Sequence, residues 1–120
     1  MILLDTHALI WLLAGHRRAG KIPDRGRLYV SPASLLEMQF LSELGRIKLK
    51  LPVDKIADDE RFAVDDPSST ALFQAAVDLS WTRDPFDRLI VGHARLRGWR
   101  LATADVRIID HLAKSAVVEI

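Results

Sequence analysis

The sequence predicts an α/β domain in which short strands form a mainly parallel central sheet covered by helices. Three observations lead there. Ile2-Leu3-Leu4 is apolar without alternation, the pattern of a parallel strand buried on both faces. Further short strand-like runs, such as Leu28-Tyr29-Val30 and Arg100 to Ala104, are separated by stretches with apolar residues at helical spacing, so strands and helices alternate. Finally, Asp5 and Asp105 each stand just past the end of such a run, and open α/β sheets gather ligands at the carboxyl ends of their strands.

With 120 residues the chain is expected to be one domain, residues 1–120, with 49% hydrophobic and 28% charged residues in the globular range. A formal net charge of +1 points to no particular partner, so electrostatic arguments must rest on local clustering. There is no cysteine, which excludes disulfides, thiolate zinc sites and cysteine nucleophiles and leaves oxygen and imidazole as metal donors. The N-terminal run is interrupted by Asp5 and His7 and lacks a basic leader or a small-residue cleavage pattern, and no stretch is long enough to span a bilayer. A cytoplasmic protein without membrane contact is the expectation.

In chain order, residues 6–14 read as a helix carrying Leu9, Ile10, Leu12 and Leu13 and closed by Gly15. Residues 16–27 read as a basic loop, in which Arg17, Arg18, Lys21, Arg25 and Arg27 are candidate contacts to a phosphate backbone. After the strand 28–30, Ser31-Pro32 is a hydroxyl cap followed by proline at the first helical position, which opens a helix to about Leu44. The template Ala33, Leu36, Phe40, Leu41, Leu44 makes its core stripe and includes Glu37, an acid on an apolar face that calls for a partner or a cation. Residues 53–60 suggest a short helix, Phe62-Ala63-Val64 an edge strand, and the six acids from Asp54 to Asp66 a solvated face. A helix from Ser68 or Ser69 to Leu79 follows, with Leu72, Ala75, Ala76 and Leu79 as its stripe. Asp84-Pro85 starts the next helix, which sets Asp87 in its first turn. Asp105 can cap a helix over 106–113, and residues 117–120 form a last strand. The three tryptophans, Trp11, Trp81 and Trp99, read as core or interface aromatics, and His7 and His93 as neighbours of the acids.

Asp5, Glu37, Asp87 and Asp105 thus fall at strand ends or on inward helix faces and can converge on one cleft. Converging carboxylates repel unless cations neutralise them, and hard oxygen donors select Mg²⁺ or Mn²⁺. Paired ions of this kind serve phosphodiester hydrolysis, which needs no protein nucleophile.

The motifs Ile2-Leu3-Leu4-Asp5-Thr6-His7, Ser34-Leu35-Leu36-Glu37, Arg83-Asp84-Pro85-Phe86-Asp87-Arg88-Leu89-Ile90 and Leu101-Ala102-Thr103-Ala104-Asp105 resemble, in order and over the whole chain, the PIN-domain ribonucleases, specifically the VapC-like toxins of toxin–antitoxin modules. The resemblance implies a three-layer α/β/α PIN-like domain, Mg²⁺- or Mn²⁺-dependent cleavage of RNA, a cognate antitoxin and a homodimer. It assigns Asp5, Glu37, Asp87 and Asp105 to the acidic site, Asp84 to an accessory role, and Thr6 and Thr103 to orienting a carboxylate or a water there. One departure is residues 16–27, which are shorter and richer in glycine and proline than the helix this family usually has at that point. Two rivals are a haloacid-dehalogenase-like phosphatase, which wants a second Asp where this chain has His7, and an inactive PIN-like module binding RNA or protein, which a missing acid would favour.

Overall fold

The computed structural model describes all 120 residues. Five strands, β1 (Ile2–Leu4), β2 (Leu28–Val30), β3 (Ala63–Val64), β4 (Arg100–Thr103) and β5 (Val117–Glu119), form one all-parallel sheet in the order β3-β2-β1-β4-β5. Each crossover runs through helix: α1 (Thr6–Ala14), α2 (Pro32–Glu43), α3 (Val53–Ile56), α4 (Ser69–Ala76), α5 (Pro85–Arg97) and α6 (Val106–His111). Alternation along the buried strands divides the core in two. Ile2, Leu4, Val30, Ala102 and Val118 pack with Ala8, Leu9 and Met38 on one face, and Leu3 and Leu101 pack with Ile90, Val91, Ala94 and Ile108 on the other. This is the three-layer α/β/α architecture that the sequence predicts. No helix is long and apolar enough to cross a membrane.

The topology determines where a site can form. The chain winds from β1 through β2 to the β3 edge, then returns to lay β4 against the other side of β1 and continues outward to β5. The strand order reverses between β1 and β4, and the crevice beyond the carboxyl ends of strands at such a reversal is the usual ligand position. Asp5 follows β1 and Asp105 follows β4.

Several expectations are corrected. The α2 stripe is rotated: Ala33, Ser34 and Met38 are buried, whereas Leu36, Phe40 and Leu44 are 51%, 47% and 67% exposed. Packing of α2 against both α1 and α5 sets its inward face one residue away from the template, about 100° around the axis. Glu37 therefore borders the core, half-buried, rather than facing into it. Residues 16–27 are not wholly irregular, because Arg17–Lys21 form a 3₁₀ turn capped by His16 and followed by the buried Ile22. The helix expected over 53–60 is only Val53–Ile56, since Asp59 accepts the backbone N–H of Arg61 and turns the chain out of helix. Helix α4 ends at Ala76 instead of Leu79, and α6 at His111. Asp65 is no solvated acid. It accepts from Arg97 Nε at 2.7 Å and lies 2.7 Å from Nε2 of His93, which is fully buried and is spent on this pair rather than on the acids near Asp5.

Candidate active site

Asp5 leaves β1 with its backbone N–H still donating to Ala102 O, 3.0 Å, so the ladder between β1 and β4 holds the residue one step beyond the strand. Its side chain is 6% exposed. One oxygen accepts from the Thr6 N–H at the start of α1, and Oδ2 accepts from Thr103 Oγ1 at 2.6 Å. Asp5 thus caps α1 through one carboxylate oxygen while the other is held by the end of β4. Thr103, fully buried at the end of β4, also accepts the Asp105 N–H at 3.0 Å. A single hydroxyl therefore ties together the acids that follow the two central strands.

Asp105 caps α6 through one oxygen, accepting from Arg107 N–H at 2.9 Å and Ile108 N–H at 3.4 Å. Asp84 caps α5 in the same way, from Phe86 N–H at 2.8 Å and Asp87 N–H at 3.3 Å, which fixes Asp87 in the first turn as the Asp-Pro sequence predicts. Arg88, of the same motif, is structural: Nε donates to Thr82 O at 2.8 Å and an Nη to Val77 O at 3.3 Å, anchoring α5 to the preceding loop.

The four acids sense one another. Burial pushes Asp87 up to about 7, and Asp84, Asp5, Asp105 and Glu37 all add to the rise by repulsion. Burial likewise raises Asp5, opposed by the Thr103 and Thr6 hydrogen bonds and the charge of His7, while Asp105 pushes it further up. Burial raises Glu37 too. The nearby Thr6 hydroxyl, short of a well-formed hydrogen bond, pulls it down, as does His7, while Asp84 and Asp5 repel it. His7, exposed at the head of α1, is the site neighbour that sequence reasoning left without a role; the signal was its position two residues after Asp5 at a helix start.

Three or more His, Cys, Asp or Glu side chains are nowhere already drawn into a ligating cluster. The donor chemistry nonetheless fits a divalent cation. The acids are oxygen donors that repel in its absence, and Thr6 Oγ1 is buried beside them without a hydrogen-bond partner. Burial alone does not mark this place. A largely apolar groove lies elsewhere, between α1 and residues 47–51, and contains none of the four acids. Of the predicted RNA contacts, Arg17, Arg18, Lys21, Arg25 and Arg27 are all exposed and none is ion-paired.

A family model described as PIN domain matches residues 2–115. One relative, Ribonuclease VapC22 of Mycobacterium tuberculosis, is 34% identical, the match covering 92% of this chain and 91% of that protein. Among solved structures, a toxin–antitoxin complex from Klebsiella pneumoniae superposes with a TM-score of 0.71 at 21% identity, covering 100% of both chains. VapBC2 from Rickettsia felis, bound to a DNA fragment from its promoter, superposes at 0.70 and 17% identity over 100% of this chain and 99% of that one.

Proposed function

The chain belongs to the PIN-domain family, on its VapC-like branch, and from the acids gathered at its β1–β4 reversal we propose that it is a metal-dependent endoribonuclease, hydrolysing RNA phosphodiester bonds by a two-metal-ion type of displacement. The observation that carries this reading is the burial of Asp87 among Asp84, Asp5, Asp105 and Glu37: burial, with their added repulsion, lifts it to about 7 in the absence of a cation. Bound Mg²⁺ or Mn²⁺ would supply activation of the attacking water and stabilisation of the leaving oxygen. Asp5, Asp87 and Asp105, with Glu37, would hold the ions. Thr103 orients Asp5 and Asp105 together, and Asp84 presents Asp87 by capping α5. Thr6, buried and unpartnered, has a donor to spare for a carboxylate or water.

We assign the role of toxin in a toxin–antitoxin module to residues 1–120 acting as a single domain in the cytoplasm, with a cognate antitoxin as its inhibitor. The α1 groove supports such a partner. At about 220 Å³ it is smaller than the usual 300–1,000 Å³ small-molecule pocket, so it suits a few apolar side chains of another protein. Ile10, Leu13, Ile47, Leu49, Leu51 and Ile56 line it, with Lys48 and Lys50 beside them to meet acidic neighbours. The homodimer is supported by the opposite feature, an unpartnered ridge. Leu36 and Phe40 on α2 and Leu44 at its C-cap recur every four residues and stay exposed, and Phe40 meets Phe86 edge-on at 5.5 Å.

The test is cleavage of single-stranded RNA by the purified protein with Mg²⁺ or Mn²⁺, repeated with EDTA and with Asp5→Asn. Loss of cleavage under both changes is expected. Cleavage undiminished by both would sink the metal mechanism.

A further inference from the structure

At about 100° per residue, α1 carries His7 on its outward ridge, with Trp11 on one flank and Ile10 and Leu13, which line the apolar groove, on the other. The Trp11 flank is of a different character. His16 stacks on the indole with ring centroids 5.3 Å apart and planes 24° apart, the Arg18 guanidinium carbon lies 5.1 Å from the indole centroid, and His7 approaches at 6.1 Å. Sequence alone reads this tryptophan as core or interface; it is half-buried against the core and carries an exposed imidazole and an exposed guanidinium.

This cluster is rigidly built. The His16 N–H donates to Trp11 O at 2.9 Å, the Arg18 N–H donates to His16 Nδ1 at 3.1 Å, and buried Ile22 anchors the end of the 3₁₀ turn that carries Arg18. Because Nδ1 of His16 accepts, its ring proton sits on Nε2, a donor with no partner in the fold. Arg18 forms no ion pair, so its charge is held in place without being neutralised. A flat imidazole stacked on the indole, with the Arg18 cation over the same ring and open donors beside them, matches the two surfaces of a nucleotide, a π-face and a phosphate. The cluster is tied to the acids by α1 itself, which Asp5 caps and which carries His7 and Trp11 in its first two turns. From His7 to Trp11 the helix rises about 6 Å, about two stacked nucleotides at ~3.4 Å each.

Resting on the ribonuclease reading, we propose that Arg18 and His16, held by Trp11, form a subsite for a nucleotide one or two positions from the scissile phosphate of single-stranded RNA. Trp11 is a positioning residue; Arg18 and His16 contact the substrate. The experiment measures cleavage of a single-stranded oligoribonucleotide with Mn²⁺, and binding of the same oligonucleotide against salt, for the wild type, Arg18→Gln, Trp11→Leu, Trp11→Phe and the remote control Lys114→Gln. Arg18→Gln and Trp11→Leu are expected to raise KM about five- to tenfold with kcat within about twofold, and Arg18→Gln to lower the slope of log binding constant against log salt by about 0.7. Trp11→Phe should recover most of the loss, and Lys114→Gln should match the wild type. KM and salt slope unchanged in Arg18→Gln, in a wild type that cleaves, would overturn the subsite alone. A wild type that neither binds nor cleaves RNA would overturn the ribonuclease reading and the subsite with it. Arg18 is exposed, so its variant decides the matter even if Trp11→Leu does not fold.

Discussion

Replacing Asp87 by Asn tests whether the acidic site is a stored repulsion that a cation relieves. In the native protein Asp87 holds its proton to about pH 7, whereas in the unfolded chain it releases it near 3.8. The native state therefore binds more protons between these values, and its stability falls as pH rises through that window and stays low above it. At about 1.36 kcal/mol per pH unit the full difference is roughly 4 kcal/mol, and because Asp87 is only partly buried, solvent screening leaves about 2 kcal/mol of it. Asn removes the buried charge and the repulsion on it but also removes an acid from the first turn of α5, a loss of about 0.5 kcal/mol to the helix dipole. The relief of burial and repulsion wins. Asp87→Asn in EDTA at pH 8 should be about 1–1.5 kcal/mol more stable than the wild type, a few degrees in melting temperature, and the gain should vanish near pH 4. Added Mn²⁺ should reverse the order, raising the wild type and leaving the variant where it was. Thermal unfolding followed by circular dichroism at both pH values, with EDTA and with Mn²⁺, provides the comparison. A variant equally destabilised at pH 4 and pH 8, or stabilised by Mn²⁺ as much as the wild type, would refute the idea that these acids converge on a cation.

Thr103→Val keeps the shape of a fully buried side chain but removes the hydroxyl that donates to Asp5 and accepts from the Asp105 N–H. It should lower stability by about 1.5–3 kcal/mol and kcat by about tenfold or more, and the acid limb of the pH–rate profile should move to higher pH as Asp5 loses a bond to its ionised form. A Cβ at Gly92 would sit 3.2 Å from backbone atoms of Ala75 and Ala76, where α5 crosses α4. Gly92→Ala should gain helix propensity of about 1 kcal/mol but lose more to the clash, for a net loss of about 1–2 kcal/mol by urea denaturation, without change in metal affinity. Phe40→Asp puts a charge in the middle of the exposed α2 ridge, and sedimentation should show a dimer in the wild type and a monomer in the variant; an unchanged mass would remove α2 as the dimer face.

The strands, and the placing of acids just past their ends, were legible in the sequence for a local reason. Ile2-Leu3-Leu4 is too short and too uniformly apolar to be anything but a buried strand, and a carboxylate directly after it conflicts with its surroundings. Asp84-Pro85 specifies a helix start within two residues, and the structure has it there. What was illegible depends on pairings between distant residues. Asp65 is 28 residues from His93 and 32 from Arg97, so nothing in the local charge pattern separates it from the solvated acids around it.

The misplaced face of α2 has a different cause, and it bears on function. Ala33, Ser34 and Met38 face the core while Leu36, Phe40 and Leu44 face outward, so the helix is apolar on two sides and a single-stripe template locks onto the bulkier one. A helix that served only its own core would have no reason to spend three large apolar residues on solvent. The error in assigning the core is what makes this ridge the face proposed above for a second copy, and Glu37 sits between the two stripes, at the border of core, carboxylate site and exposed ridge. If a second copy docks on that ridge, its edge closes over Glu37, and the desolvation that already raises the Glu37 pKa deepens. Dimerisation and cation binding would then be coupled, so that Phe40→Asp weakens Mn²⁺ binding although it removes no acidic ligand. Equal Mn²⁺ affinity in the monomeric variant and the dimeric wild type would show the ridge and the site to be independent.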